Sequence, residues 1–289
     1  IFSESVFFLK SIVPGEKTLI QKIKRAGHFI ATSDPEGLSP NPPGILSVPS
    51  RFSDETIELT DIIFFWGKKY YSDFKKIFGS QLKKKIVSGS HIFDYWKFIG
   101  KKKPKKQKTI LITTSLSLVN SNQDYFTLMK DNYKEGLKKD HVNLLKRQIK
   151  IQKFAFLKYQ ELLKQFDKKP LEKKIILRPH PAENLEFWHK FRKKLKNIEL
   201  IIDNKDKLEN QITDASHVIH FGSTLSYQVR ANNKIPIYYP KINVNDLNKN
   251  FNRDVADISH EVKSATELHK KLIGNSFKKK KSNLICQNN

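Results

Sequence analysis

Residues 175–184, IILRPHPAEN, hold the end of a strand and the start of a helix within one short stretch. The apolar run at 175–177 predicts a short buried strand. Pro179 and Pro181 have no backbone N–H group, so strand pairing must stop there. An amphipathic stretch near 184–195 follows and predicts a helix. A strand that leads through a turn into a helix is the repeating unit of parallel α/β sheets.

Four polar residues surround this predicted turn. Arg178 and His180 stand at the carboxyl end of the strand, and Glu183 and Asn184 begin the next helix. In open α/β sheets, ligands bind outside the carboxyl ends of the strands. Arg178 and His180 therefore either decorate the rim of the sheet or line a binding cleft.

Short apolar runs alternate with amphipathic stretches along the whole chain, as in parallel sheets covered by helices. The fold class is predicted to be α/β, with two Rossmann-like, doubly wound domains. The lysine-rich segment 101–108 contains a proline and no apolar residue, which favours a domain crossing there. We expect an N-terminal domain over 1–104, a C-terminal domain over 105–275 and a basic polar tail over 276–289. The first half offers few strands and no opening methionine, so the N-terminal domain is predicted to be truncated.

The composition of the chain predicts a soluble, cytoplasmic protein. Of its 289 residues, 38% are hydrophobic and 29% are charged. Apolar runs such as 62–66 fall far short of the roughly 20 residues that a membrane span needs, and no secretion signal opens the chain. The single cysteine, Cys286, cannot form an internal disulfide, which agrees with a reducing compartment.

A formal net charge of +25 raises the question of an acidic partner. Most of the positive charge is lysine, and abundant lysine, asparagine and isoleucine could simply reflect an AT-rich genome. A peripheral contact with an anionic inner membrane is the next interpretation, through the lysine runs 101–108 and 278–281. Nucleic acid comes third, because the sequence contains no zinc-finger, RNP or basic-zipper pattern.

A second strand end lies in HFGSTLSYQ, residues 220–228. The strand is predicted to stop at Gly222, and a helix to begin at Ser223 and Thr224. Free backbone N–H groups and two hydroxyls at a helix start form an anion site that suits phosphate. The alternative is that Ser223 merely caps the helix, which uses the same geometry.

A third strand end lies in SDPEGL, residues 33–38. It places Asp34 and Glu36 beside Gly37, where a carboxylate could act as a catalytic base facing the second domain. A turn rich in Asp, Pro and Gly also forms without any function.

Other polar residues give weaker signals. In SGSHIFDYW, residues 88–96, Gly89 and Ser90 end a strand and either border the cleft or form a plain turn. His217 and His220 are three positions apart on one strand, so they face opposite sides and are not expected to share a metal. The sequence contains no zinc spacing, Walker-type loop, nucleophile elbow or Gly-x-Gly-x-x-Gly fingerprint, so no metal or cofactor is predicted.

Six stretches, taken in order, resemble the bacterial surface carbohydrate biosynthesis proteins. They are LKSIVPGEKTLIQKIKRAGHFIATSDPEGL, RFSDETIELTDIIFFWG, KIVSGSHIFD, ILITTSLSLVN, ILRPHPAEN followed by Trp188, and ASHVIHFGSTLSYQ. The resemblance spans most of residues 5–240. It implies a GT-B glycosyltransferase, with two Rossmann-like domains facing each other across a nucleotide-sugar cleft.

The same motifs are similar to those of bacterial sialyltransferases and Kdo transferases, which use CMP-activated sugars. The resemblance implies that His180 and Pro181 contact the CMP and that Ser223 and Thr224 grip its phosphate. Together with the strand-end patterns described above, it leads us to expect three sets of site residues. The nucleotide side would comprise Arg178, His180, Pro181, Gly222, Ser223, Thr224, Glu183 and Asn184. The catalytic groups would be Glu36, Asp34 and His180, and the cleft would include Gly37, Gly89 and Ser90.

Two positions depart from the motifs of these transferases. Pro35 stands where the resemblance implies a further acid, so Glu36 and Asp34 are both candidates for the base. The segment GSHIFD lacks the arginine of the GNPRFD type. Both departures leave room for an altered specificity.

The resulting prediction is a metal-independent glycosyltransferase that moves a sugar, with a CMP-sugar as favoured donor, onto a glycan or glycolipid acceptor of capsule or lipopolysaccharide. The alternatives of the same fold are a CDP-polyol phosphotransferase and a UDP-sugar epimerase. The alternative from another class is a non-catalytic basic protein that binds RNA or membrane.

Overall fold

The computed structural model describes residues 4–33, 52–79, 85–100, 109–121, 139–242 and 253–278. These residues form two compact units, one ending at Asp94 and the other beginning at Tyr95. Each unit is built on its own parallel sheet, so the predicted α/β fold with two Rossmann-like domains is confirmed. The predicted boundary after residue 104 lies outside the described residues.

The first unit contains a four-stranded sheet in the order β1-β2-β3-β4, with every neighbouring pair parallel. Its strands are β1 (Val6–Leu9), β2 (Phe29–Ser33), β3 (Ile62–Phe65) and β4 (Lys85–Val87). Its helices are α1 (Lys17–Arg25), α2 (Asp54–Glu58), α3 (Lys68–Phe78) and the start of α4 (His91–Gly100).

One apolar cluster holds this first sheet to its helices. Ile30 and Phe65 are completely buried, and Ile20 of α1 packs in the same cluster. Phe52 meets Phe74 of α3 edge-on, with ring centroids 4.9 Å apart. The core therefore lies between the sheet and the amphipathic faces of the helices, as the alternation of apolar and polar residues predicts.

The second unit contains a six-stranded parallel sheet in the order β10-β9-β8-β5-β6-β7. Its strands are β5 (Thr109–Thr113), β6 (Lys174–Arg178), β7 (Leu200–Ile202), β8 (Ala215–His220), β9 (Ile235–Tyr238) and β10 (His260–Glu261). Its helices are the rest of α4 and α5 (Lys139–Lys168), α6 (Leu185–Arg192), α7 (Leu208–Asp214), α8 (Leu225–Ala231), α9 (Arg253–Ile258) and α10 (Ala265–Ile273). The chain lays down β5, β6 and β7 towards one side of the sheet, then returns and lays down β8, β9 and β10 towards the other.

Among the elements that the structure describes, four were not predicted from the sequence: α4, α9, β10 and α10. Strand β10 has only two residues, and pairing with β9 rather than an apolar run defines it. Helix α10 did carry a local signal, because Ser264 accepts a hydrogen bond from the backbone N–H of Glu267 at 3.2 Å. A serine followed three residues later by a glutamate is typical of a helix start.

The start of the predicted polar tail packs onto the second sheet. Phe277 is 5% exposed, and its ring centroid lies 5.6 Å from that of His217 and 5.3 Å from that of His260. Residues 279–289 lie outside the described part of the chain. Among the helices that the structure describes, none is both long and apolar enough to cross a membrane.

Candidate functional site

The carboxyl ends of β5, β6 and β8 lie side by side at one edge of the second sheet. Strand β5 pairs with β6 on one side and with β8 on the other, and all three run parallel. The strand order reverses between β5 and β8, because the chain continues from β5 to β6 but reaches β8 only after β7. In doubly wound sheets, such a reversal opens a crevice at the carboxyl ends in which ligands bind. Two of the predicted site segments therefore lie at this edge, one on each side of β5.

The turn after β6 carries the first of these segments. Arg178 pairs with Thr113 and ends the strand, and Pro179 is buried. The side chain of His180 is exposed, and its Nδ1 accepts a hydrogen bond from the backbone N–H of Ala182 at 3.2 Å. In the neutral ring, the proton is then on Nε2, which makes that nitrogen a donor. Pro181 is also exposed.

Arg178 is directed towards β7, which lies on the far side of β6 from β8. Its Nη1 donates to the backbone oxygen of Asp206 at 2.7 Å and to Oε1 of Gln211 at 2.9 Å. Burial alone would raise the pKa of Asp203, but backbone hydrogen bonds from Lys205 and Asp206, the Gln211 amide and the charge of Arg178 lower it overall. Nη1 of Arg178 is therefore held by two groups that follow β7 in the chain.

The turn after β8 carries the second segment. Gly222 has a φ of 59°, the left-handed conformation that glycine adopts at low cost. Ser223 Oγ accepts a hydrogen bond from the backbone N–H of Leu225 at 3.2 Å, whereas the exposed Thr224, at the N-cap, makes no capping bond with its side chain. Helix α8 begins at Leu225, two residues later than predicted. Ser223 thus makes the kind of hydrogen bond expected if it merely caps the helix. The hydroxyl of Thr224 does not cap the helix.

A buried imidazole is hydrogen-bonded to the backbone of this second turn. His220 ends β8, is completely buried, and accepts a 3.4 Å hydrogen bond on Nδ1 from the backbone N–H of Ser223. Its Nε2 lies 3.1 Å from Oγ of Ser259, which donates to the backbone oxygen of Val255 at 2.7 Å. Burial lowers the pKa of His220 to about 3, so the ring is neutral and supports the turn without adding charge.

The segment after β5 belongs to the same edge, and sequence reasoning did not assign it to the site. Thr113 and Thr114 are nearly buried, and Ser115 is half-buried. Thr113 Oγ1 donates to the backbone oxygen of Ile219 at 3.3 Å, and the backbone N–H of Thr114 donates to the oxygen of Arg178 at 3.1 Å. The signal was available, because hydroxyl residues directly follow an apolar strand here as they do after β8.

Glu183 and Asn184 occupy different environments although they are neighbours. Asn184 caps α6, with Oδ1 accepting from the backbone N–H of Glu186 at 2.9 Å. Glu183 is 1% exposed, and both of its carboxylate oxygens accept hydrogen bonds from groups of this chain. The helix begins at Leu185, so Asn184 is its N-cap and Glu183 lies one residue before the cap, with its side chain buried.

Gly89 and Ser90 follow β4 in the first unit. Gly89 has a φ of 80°, and the backbone oxygen of Ser90 accepts hydrogen bonds from Phe93 and Asp94 at the start of α4. The Ser90 hydroxyl and the indole N–H of Trp66 are buried and have no hydrogen-bond partner among the residues that the structure describes. Asp34, Pro35, Glu36 and Gly37 lie outside the described residues. Within the described ranges, no three His, Cys, Asp or Glu side chains are grouped closely enough to hold a metal ion.

The sequence matches no protein-family model and no curated protein. Solved structures share the fold at low identity. The UDP-GlcNAc 2-epimerase from Methanocaldococcus jannaschii aligns with 93% of this chain and 69% of its own, at a TM-score of 0.52 and 10% identity. A putative UDP-N-acetylglucosamine 2-epimerase from Listeria monocytogenes aligns with 93% of this chain and 65% of its own, at a TM-score of 0.55 and 10% identity. The UDP-GlcNAc 2-epimerase from Neisseria meningitidis bound to UDP-GlcNAc aligns with 94% of this chain and 68% of its own, at a TM-score of 0.51 and 10% identity.

These likenesses define the class of fold. The chain has a GT-B-like architecture of two Rossmann-like units, and it spans about two thirds of the length of these three solved chains.

Proposed function

We propose that this chain is a nucleotide-sugar enzyme that binds its nucleotide at the carboxyl edge of the second sheet. The reversal of strand order between β5 and β8 carries the proposal. At this reversal, the turn around Ser223 and the turn around His180 flank the end of β5. Both turns present N–H or O–H donors, which suit the phosphate oxygens of a nucleotide.

Within this class, we propose a glycosyltransferase that moves a sugar from a CMP-sugar onto a glycan or glycolipid acceptor. The bond between the anomeric carbon and the phosphate oxygen breaks, and the acceptor oxygen forms the new bond to that carbon. Nε2 of His180 and the hydroxyls of Ser223 and Thr224 would stabilise the charge that develops on the leaving phosphate. Glu36 or Asp34, which follow β2 in the sequence, would take the proton of the acceptor hydroxyl.

The motifs that resemble sialyltransferases and Kdo transferases support the CMP-sugar. They also support a role in capsule or lipopolysaccharide synthesis at the cytoplasmic face of the inner membrane. The lysine runs of the sequence suit a peripheral contact with anionic lipid there. A second candidate is 2-epimerisation of a UDP-sugar, which is favoured by the fold shared with three UDP-GlcNAc 2-epimerases.

Thermal-shift and calorimetric titrations with CMP, CDP and UDP test this proposal. We expect a shift with CMP that exceeds those with CDP and UDP. His180→Ala should weaken CMP binding about tenfold or more and lower turnover of a CMP-sugar about 100-fold, because a donor to the phosphate is lost. His189→Ala, at an exposed position on α6, is the matched control and should bind like the wild type.

Ser223→Ala has its own control in Ser264→Ala, because both hydroxyls accept a hydrogen bond from a backbone N–H at a helix start. Ser264→Ala should cost about 1 kcal/mol of unfolding free energy without changing nucleotide binding, whereas Ser223→Ala should weaken binding. A UDP-specific shift would transfer support to the epimerase, and a CDP-specific shift to a polyol-phosphate transferase. Silence from all three nucleotides, together with tight binding of RNA or anionic vesicles, would overturn the enzyme proposal.

A further inference from the structure

Among the described residues at the carboxyl edge of the second sheet, Glu183 is the carboxylate that accepts the most hydrogen bonds. Its Oε1 accepts from Thr114 Oγ1 at 2.8 Å, from the backbone N–H of Leu116 at 2.9 Å and from that of His180 at 3.1 Å. Its Oε2 accepts from the indole N–H of Trp188 at 3.2 Å. The side-chain amide of Asn120 adds a longer contact to Oε2 at 3.4 Å.

Each of these five neighbours is a donor, and this decides which side chain fits the position. An ionised carboxylate only accepts hydrogen bonds, so it can satisfy all five groups at once. A glutamine at this position would place its NH₂ group, itself a donor, against either the donors around Oε1 or the donors around Oε2. A buried carboxylate is tolerated when donors surround it in this way, and it becomes costly when they are removed.

The five donors belong to three different segments of the second unit. Thr114, Leu116 and Asn120 lie in the segment after β5, His180 lies in the turn after β6, and Trp188 lies on α6. Backbone contacts reinforce the same junction, because the N–H of Asn184 donates to the oxygen of Asn120 at 2.8 Å and Ser121 bridges to Glu183. Glu183 thus joins the segment after β5, which borders the reversal of strand order, to the turn and helix that follow β6.

We infer that Glu183 is a positioning residue for the nucleotide site rather than a nucleotide ligand. This inference rests on the proposed function. The carboxylate fixes the backbone of His180 relative to residues 114–120, so the imidazole and the end of β5 keep one arrangement before the nucleotide arrives. Both oxygens of Glu183 already accept bonds from this chain, and the side chain is 1% exposed, so no surface remains for a ligand. Preorganisation of this kind improves affinity, because no free energy is then lost in ordering the loops when the nucleotide binds.

The test compares Glu183→Gln with a matched variant at the opposite end of the sheet. Asp167 Oδ1 accepts hydrogen bonds from the backbone N–H groups of Lys196 at 2.8 Å and Asn197 at 2.6 Å, in the connection that precedes β7. Asp167→Asn therefore makes the same chemical change to a carboxylate that ties two segments together, away from the proposed site. Melting temperatures and the Kd values for CMP and UDP are measured for both variants and the wild type, at a temperature where all are folded.

We expect both variants to melt at lower temperature, and only Glu183→Gln to bind the nucleotide about tenfold or more weakly. Equal Kd values for Glu183→Gln and the wild type, with a lowered melting temperature, would reduce Glu183 to a purely structural role and overturn the inference. A wild type that binds neither CMP nor UDP would instead overturn the proposed function, and the inference with it.

Trp188→Phe keeps the test decisive if Glu183→Gln does not fold. This variant removes one donor to Oε2 and retains a buried aromatic ring on α6. We expect its nucleotide Kd to rise about threefold or more relative to Asp167→Asn. An unchanged Kd in Trp188→Phe would contradict the inference.

Discussion

Two buried histidines on β8 show how burial alone changes the chemistry of a side chain. Burial lowers the pKa of His217 to about 4, with smaller contributions from the charges of Lys173 and His260. Burial lowers the pKa of His220 to about 3. Both rings are therefore neutral in the folded chain near neutral pH, and neither needs a metal to explain its position. Both rings are buried in the second unit.

Neutral buried histidines make the second unit sensitive to acid. The pKa of an unfolded histidine is about 6.5, so the unfolded chain binds these protons first as the pH falls. The free energy of unfolding is therefore complete above about pH 6.5 and decreases as the pH falls towards the folded-state pKa values of about 4 and about 3.

His217→Phe should remove one part of this decrease. Phenylalanine keeps a ring against Phe277 and cannot take up a proton. We expect the pH dependence of the unfolding free energy between pH 6.5 and 4.5 to become shallower by up to about 1.4 kcal/mol per pH unit. Urea titrations across this range measure it, with His189→Ala as the exposed control. A variant that keeps the wild-type pH dependence would contradict the assignment.

At the scale of the element, strand ends decide where polar residues gather. The two prolines after β6 and Gly222 after β8 act locally. Strand β6 ends at Arg178, directly before the first proline, whereas β8 ends at His220, two residues before the predicted stop at Gly222. The segment after α10 differs, because it packs through contacts with residues that are distant in the sequence. Phe277 follows α10 and packs between His217 of β8 and His260 of β10. One aromatic side chain thus contacts two different strands of the second sheet.

Phe277→Ala should destabilise the second unit. Removing a buried phenylalanine costs about 3 kcal/mol or more, because it leaves a cavity that the surroundings fill only in part. Chemical denaturation followed by far-ultraviolet circular dichroism measures this loss. Leu157→Ala, at a position 59% exposed on α5, should change the unfolding free energy by less than about 0.5 kcal/mol. Similar losses in the two variants would show that Phe277 does not hold the segment in solution.

At the scale of the whole molecule, the two parallel sheets differ in one respect that matters for binding. The described strands of the first sheet follow chain order from β1 to β4, whereas the second sheet reverses between β5 and β8. A reversal opens a crevice and a simple succession does not. The second sheet is therefore where we expect the nucleotide.

Hydrogen exchange with and without nucleotide tests this expectation. A ligand at 100 times its Kd stabilises the folded state by about 2.7 kcal/mol. We expect amides of β5, β6 and β8 to exchange up to about 100-fold more slowly with saturating CMP, and amides of β1 to β3 to change much less. Mass spectrometry of peptides from each sheet gives the comparison. Protection confined to the first sheet would place the nucleotide elsewhere.

The sequence by itself determined the local structure and the residue types at the strand ends. Apolar runs, prolines and capping residues act on their immediate neighbours, so the α/β alternation and the turns at residues 178–184 and 222–224 follow from local rules. The same local rules do not predict the short, polar β10, because only its pairing with β9 makes it a strand.

Only the tertiary structure decided which strand ends meet. The pairing of β5 with β8 brings Thr113 next to Ile219, which are 106 positions apart, and no local pattern encodes a contact of that range. The pairing of β5 with β6 brought Glu183 to donors from both chain segments, and the pairing of β6 with β7 brought Arg178 to Asp206 and Gln211. The candidate site depends on strand order, and strand order is set by the packing of the complete sheet rather than by any one stretch of sequence.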